Sequence, residues 1–191
     1  MTIILYLGRD IKDYSEKSTK IIQQKISEKA LLCRLCLRPM TRHSSYRRGV
    51  KETGQQIEIT MVWCRKCKKY HALLPDFLLR NKHYSGNEIE SVILDSDTVK
   101  QALWIETSAS EGTVRRWVKQ VGDSITMAIS MLKYLFGQAG RALCETAIDA
   151  GTAYDELEQI LEMAPQALEY SGNKLGLANI WLGTGGTAAY I

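Results

Sequence analysis

Two Cys-x-x-Cys pairs, Cys33/Cys36 and Cys64/Cys67, stand 27 residues apart, and this spacing limits the fold more than any other feature of the chain. In a reducing compartment such pairs point to metal or redox chemistry rather than to disulfides. A thioredoxin-like redox site needs one motif opening a helix inside a strand-helix-strand unit. Here two motifs occur, each flanked by strand-like or turn-like sequence, which favours four thiolates around one zinc ion, each pair forming a tight knuckle.

The segment between the pairs agrees. In "RHSSYRRGVKETGQQIEITMVWC" the residues Gln55, Ile57, Ile59 and Met61 alternate with Gln56, Glu58, Thr60 and Val62, and "KETGQQ" supplies a turn. The order knuckle, strand, turn, strand, knuckle describes a zinc ribbon. With Cys33, Cys36, Cys64 and Cys67 filling all four positions, the metal is expected to be structural Zn2+ with no open coordination site. His43 and His71 then read as phosphate contacts or packed side chains. Trp63 reads as ribbon core, and Cys144 as a buried thiol in a helical stretch.

Charge is distributed unevenly. Residues 34–82 carry twelve Lys/Arg against three acids, whereas residues 141–191 carry two against seven. So concentrated a basic block repels itself unless it meets a polyanion, and nucleic acid is the leading partner. Arg42, Arg47, Arg48, Arg65, Lys66, Lys68 and Lys69 are the candidate phosphate-gripping residues of the ribbon. At 191 residues, 45% apolar and 24% charged, the composition is that of a globular chain of one domain or two small ones. No apolar run approaches the ~18 residues of a membrane span. "MTIILYLGRD" lacks the basic region and cleavage site of a secretory signal, so the expected location is cytoplasmic.

Beyond residue 82 the apolar period lengthens to about 3.6. Ile89, Val92 and Ile93 share one face. Val99, Leu103 and Trp104 share a second, and Val114, Trp117, Val118 and Val121 a third. Ser110 is placed to cap the last helix through the amide of Gly112 or Thr113, Glu111 suits its positive end, and Gly122 is the expected stop. Three short helices ending in a capped basic one describe a helix-turn-helix. Thr113 and Arg116 are candidates for base edges, Arg115 and Lys119 for phosphates of double-stranded DNA.

The order "CRLC", "RHSSYRRG", "IEITMVWCRKCKKYHALLPDFLL", "YSGNEIE" and "SASEGTVRRW" resembles uncharacterised bacterial mobile-element-associated proteins with a transposase-like zinc ribbon followed by a helix-turn-helix. The resemblance covers roughly residues 30–122 and implies DNA binding with zinc held by the four cysteines. It does not bring catalysis with it. A full transposase carries a long domain with three spaced carboxylates after this point, and only about 70 residues follow here.

The ends complete the expected organisation. Residues 1–30 form an arm in which "IILYLG" is a short strand and "DYSEKSTKIIQQKISEKALL" an amphipathic helix with Ile21, Ile22 and Ile26 on one face. Residues 31–82 are the ribbon, 83–122 the helix-turn-helix and 123–191 a helical region. In that last region Asp123 and Thr152 are expected caps, Gly137 and Gly151 breaks, and Met127, Met131, Leu132, Leu135 and Phe136 an apolar stripe. Glu145, Asp149, Asp155, Glu156, Glu158 and Glu162 read as a solvated acidic face, and Trp181 and Leu182 as anchors of a glycine-rich tail. The expected class is α+β, mainly α. The expected role is a non-enzymatic, sequence-preferring DNA-binding protein, a transcriptional regulator or mobile-element accessory factor, with homodimerisation or a recombination or transcription partner in view. The alternatives are a protein-interaction adaptor and a truncated transposase or nuclease.

Overall fold

The structure, a computed structural model, describes residues 1–94, 99–138, 152–162 and 170–184. Within them the chain is mixed α and β, a four-stranded sheet followed by a set of helices. The strands are β1 (Thr2–Leu5), β2 (Thr41–Val50), β3 (Gln55–Cys64) and β4 (Lys69–Pro75), in the spatial order β1-β4-β3-β2. β2, β3 and β4 form an antiparallel meander, as the alternating sequence around the "KETG" turn predicts. The register shifts between Arg42 and Ser44, leaving His43 as the extra residue of a bulge.

The first 30 residues are built into this sheet. β1 pairs with β4 in parallel, Ile3 beside Leu73 and Ile4 beside Leu74. Helix α1 (Ile11–Ser27) begins where Asp10 accepts the amide of Asp13 at 2.9 Å, an N-cap of the usual kind. Its buried line is Tyr14, Ser18 and Ile22, spaced one helical turn apart; Ile21 and Ile26 pack at its margin. The Tyr14 hydroxyl donates to the Glu58 carbonyl of β3 at 2.7 Å, tying helix to sheet. Together β1, α1 and the meander bury a core that includes Ile4, Leu7, Ile59, Val62 and Leu73.

A second core gathers α2 (Gly86–Leu94), α3 (Val99–Ala102), α4 (Glu111–Gln138), α5 (Ala153–Glu162) and α6 (Lys174–Thr184). α4 corrects a sequence expectation. It runs for 28 residues straight through Gly122, with Asp123 exposed inside the helix instead of capping a new one, and it contains Gly137 as well. A glycine inside a helix costs about 1 kcal/mol relative to alanine. Val121, Ile125, Leu132 and Phe136 are all buried beyond or beside it, and each such side chain contributes roughly 1.5–3 kcal/mol. The buried stripe outweighs the glycine. Met127 falls off that stripe and is 58% exposed. Trp104 also departs from the expected apolar face, standing 80% exposed after α3. Thr152 does cap α5, its hydroxyl accepting the Asp155 amide at 3.1 Å. The expectations for Cys144, Glu145, Asp149 and Gly151 lie outside the described residues.

The two cores are joined at the start of α6. Asn173 caps it by accepting the Gly176 amide at 2.6 Å, while Glu90 from α2 accepts Leu175 N at 3.1 Å. Asp76, just after β4, accepts Ser171 N at 2.6 Å. Both carboxylates thus lie at the positive end of a helix dipole. Gly176 is required here. A Cβ at this position would lie 2.3 Å from the Asp76 carbonyl oxygen.

Candidate metal centre and cationic face

The two knuckles are built alike. In the first, Leu37 N donates to Cys33 O at 2.8 Å, and Cys33 N to Arg38 O at 2.9 Å. In the second, Cys67 N donates to the Cys64 sulfur at 3.5 Å. The residue after each second cysteine, Leu37 with φ 54° and Lys68 with φ 51°, takes the left-handed conformation that turns the chain back. Neither is glycine, so each knuckle holds a backbone conformation costing roughly 1–2 kcal/mol for an L-residue.

These turns bring the sulfurs of Cys33, Cys36, Cys64 and Cys67 within 4.8 Å of one another, with Cys36 and Cys64 3.5 Å apart. Tetrahedral coordination with metal–sulfur bonds of about 2.3 Å requires sulfurs about 3.8 Å apart, so the four positions fit one ion. Cys33 and Cys64 are fully buried. Burial pushes the Cys33 thiol up, while the Cys67 amide draws Cys64 down to about 7. The thiol of Cys67 is pushed up to about 12, first by its contact with Cys36. Four thiolates so close cannot coexist without a cation among them. No other group of three or more metal-ligating side chains comes together among the described residues.

His71 is completely buried, and its Nε2 lies 3.5 Å from the Cys33 sulfur. It is a packed side chain supporting a metal-ligand position, which excludes the phosphate-contact reading. Its signal in the sequence is its place in the strand register opposite Val62, on the face that carries Cys64. Trp63 corrects another expectation. It points away from the core and stacks on Tyr70 at 4.3 Å between ring centroids, with His43 4.7 Å from Tyr70. This aromatic trio lies on the opposite sheet face from Cys64.

Around this frame the cations separate into two groups. Arg42, Arg47, Arg65, Lys66, Lys68 and Lys69 are exposed. Arg48 is not of their kind. Its guanidinium donates to the Leu79 carbonyl at 2.8 Å and also to the Lys82 carbonyl, pinning the loop after β4. On α4, Arg115, Arg116 and Lys119 are exposed and Thr113 half-buried. Arg115 pairs with Glu111 at 2.5 Å. Arg116 folds back to donate to Gly112 O at 3.0 Å. The Ser110 hydroxyl meets the Thr113 hydroxyl at 3.0 Å, not the amide expected of it, although the helix does start immediately after Ser110.

A family model described as a domain of unknown function (DUF6431) matches residues 33–117, from the first metal-site cysteine to Trp117 of α4. No curated protein and no solved structure matches the chain.

Proposed function

We propose that this protein is a zinc-containing, sequence-preferring DNA-binding protein, acting as a transcriptional regulator or as an accessory factor of a mobile element, without catalytic chemistry of its own. The observation that carries the reading is the convergence of the four sulfurs at the root of a strongly cationic hairpin. Zinc is the ion that four thiolates in a closed tetrahedral site suit best. Bound there, it supplies structure, and the cysteines hold Arg42, Arg47, Arg65, Lys66, Lys68 and Lys69 on one rigid body. Duplex phosphates are the natural counter-charge for such a body. The exposed rings of His43 and Tyr70 add surfaces that accept sugars or bases.

In this reading α2, α3 and the first half of α4 serve as a helix-turn-helix, and Thr113, Arg115, Arg116 and Lys119 meet the duplex. Arg48 is left out of the contact set because it holds the loop after β4. The test is duplex binding by the zinc-loaded chain at two salt concentrations. The reading requires an affinity that falls with a slope of about −0.9 per phosphate contact. Absence of any duplex affinity at moderate salt would refute it.

One observation favours an adaptor instead. Leu32, Leu35 and Leu37 around the first knuckle are 43%, 55% and 71% exposed, and exposed apolar groups of this kind suit a protein partner. The acidic face contributes less to that alternative, since Glu156 pairs with Lys133 and Glu158 with Lys174. The same binding experiment separates the two readings.

A further inference from the structure

Between the turn of the β2–β3 hairpin and the first turns of α4 lies a cleft of about 240 Å³. Lys51, Lys82 and His83 line one side, and Thr113, Arg116 and Gln120 the other. Tyr84 and Trp117 also line it, their rings edge to face at 4.9 Å, and Lys51 Nζ stands 5.7 Å from the Tyr84 ring centre. The lining residues come from three separated stretches of chain. The two carbonyl contacts made by Arg48 fix the loop that carries Lys82.

No Asp or Glu lines the cleft among the described residues. Glu52, next to Lys51, is not among the lining residues and accepts the Ser85 amide at 2.7 Å. The partners the cations do have are neutral: the Gln120 carbonyl for Lys82 at 2.5 Å, and Gly112 O and the Thr113 hydroxyl for Arg116 at 3.0 and 3.4 Å. Burial, and then the neighbouring Arg116 charge, hold the Lys82 ammonium below its ordinary range. Three cations thus crowd a small concave space without a counter-charge. Such an arrangement is unfavourable when empty and relieved by an anion.

We infer that this cleft is a phosphate-binding site, in which Lys51, Lys82 and Arg116 neutralise the anion and the Thr113 hydroxyl donates to one of its oxygens. A phosphate suits it because the donors approach from two walls, and a tetrahedral anion presents oxygens in several directions. The phosphate comes either from within a DNA strand or from a free or terminal phosphate ester. Only the first source rests on the DNA-binding reading. The inference moves Arg116 from a base edge to the backbone.

The test uses the full zinc-loaded chain and inorganic phosphate as the probe, followed by amide chemical shifts. Saturable shifts at Thr113 and Gln120 are expected. They should disappear in Gln120→Glu, which places a carboxylate beside Lys82 and occupies the cations without removing a packing group, and weaken several-fold in Lys51→Gln. Lys12→Gln, on the exposed side of α1, serves as the charge control and should change nothing. On blunt duplexes with and without 5′-phosphates, Gln120→Glu should lower the salt slope by about 0.9, the share of a single phosphate. An equal fall on both duplexes supports the internal phosphate, and a fall only on the phosphorylated duplex supports the terminal one. Phosphate shifts in a chain without duplex affinity would sink the DNA reading and leave the cleft site standing. Absent shifts with an unchanged slope in Gln120→Glu would overturn the cleft site and leave DNA binding intact.

Discussion

Arg48→Met separates a structural cation from a nucleic-acid contact. The wild-type guanidinium donates to two backbone carbonyls, Leu79 O and Lys82 O, and is only partly exposed. A hydrogen bond to a charged group is worth about 1.5–3 kcal/mol, and an acceptor left buried without a donor adds its desolvation cost. Both bonds come from one nitrogen and part of the site faces solvent, so the loss is below the simple sum. About 2–4 kcal/mol is expected. Methionine retains much of the buried stem, so packing is a small part of that figure. Urea unfolding of the zinc-loaded protein reads it as a lower midpoint at unchanged m-value. Arg48→Lys should recover only part, because a single ammonium cannot reproduce the guanidinium geometry. A variant within ~0.5 kcal/mol of wild type, combined with a salt slope of DNA binding reduced by about one unit, would refute this reasoning and return Arg48 to the phosphate contacts.

Other outcomes follow from the same geometry. Chelation of the metal, or Cys64→Ser, should abolish stoichiometric zinc and unfold the β2–β3 region, seen by metal analysis and circular dichroism; an unchanged spectrum would count against the metal site. His71→Phe should lower zinc affinity by roughly 10–100-fold in a chelator competition, because the metal-bound sulfur is deprived of its outer partner. Burial raises the Asp76 carboxyl above its ordinary 3.8 despite the amide it accepts from Ser171. Its stabilising contribution is therefore complete below 3.8 and is lost as pH rises through the raised native value. The wild type should lose stability relative to Asp76→Asn across that window, and the opposite slope in urea midpoints would contradict the burial argument. Arg116→Ala should weaken all duplexes about equally; relaxed preference at one base pair by ~1–3 kcal/mol would instead make it a base reader.

The four-cysteine cluster and the hairpin are legible in the sequence because both are periodic. Cysteine spacing and strand alternation are local patterns, and the residues that close the site come from the same 35-residue stretch. What escapes such reading depends on distant partners. β1 is foreseeable as a strand, but its parallel pairing with β4 joins residues about 70 apart. Gly122 carries a stop signal that only the buried stripe on both sides overrides. Arg48 looks like any other exposed arginine in sequence, and only the loop after β4 shows where its donors go. The cleft is hidden for the same reason. Lys51 sits in the hairpin turn and Lys82 in the loop between β4 and α2, and nothing in the sequence pattern announces that they face α4.

The seam around Asn173 has a consequence for synthesis on the ribosome. The hairpin and both knuckles emerge early, before most of the helices that follow have been synthesised. Asp76 and Glu90 must then wait nearly a hundred residues for the amides of Ser171 and Leu175 that they finally accept. During that interval the sheet side meant for Ile180 faces water or a chaperone. A stalled nascent chain would expose that unfinished side.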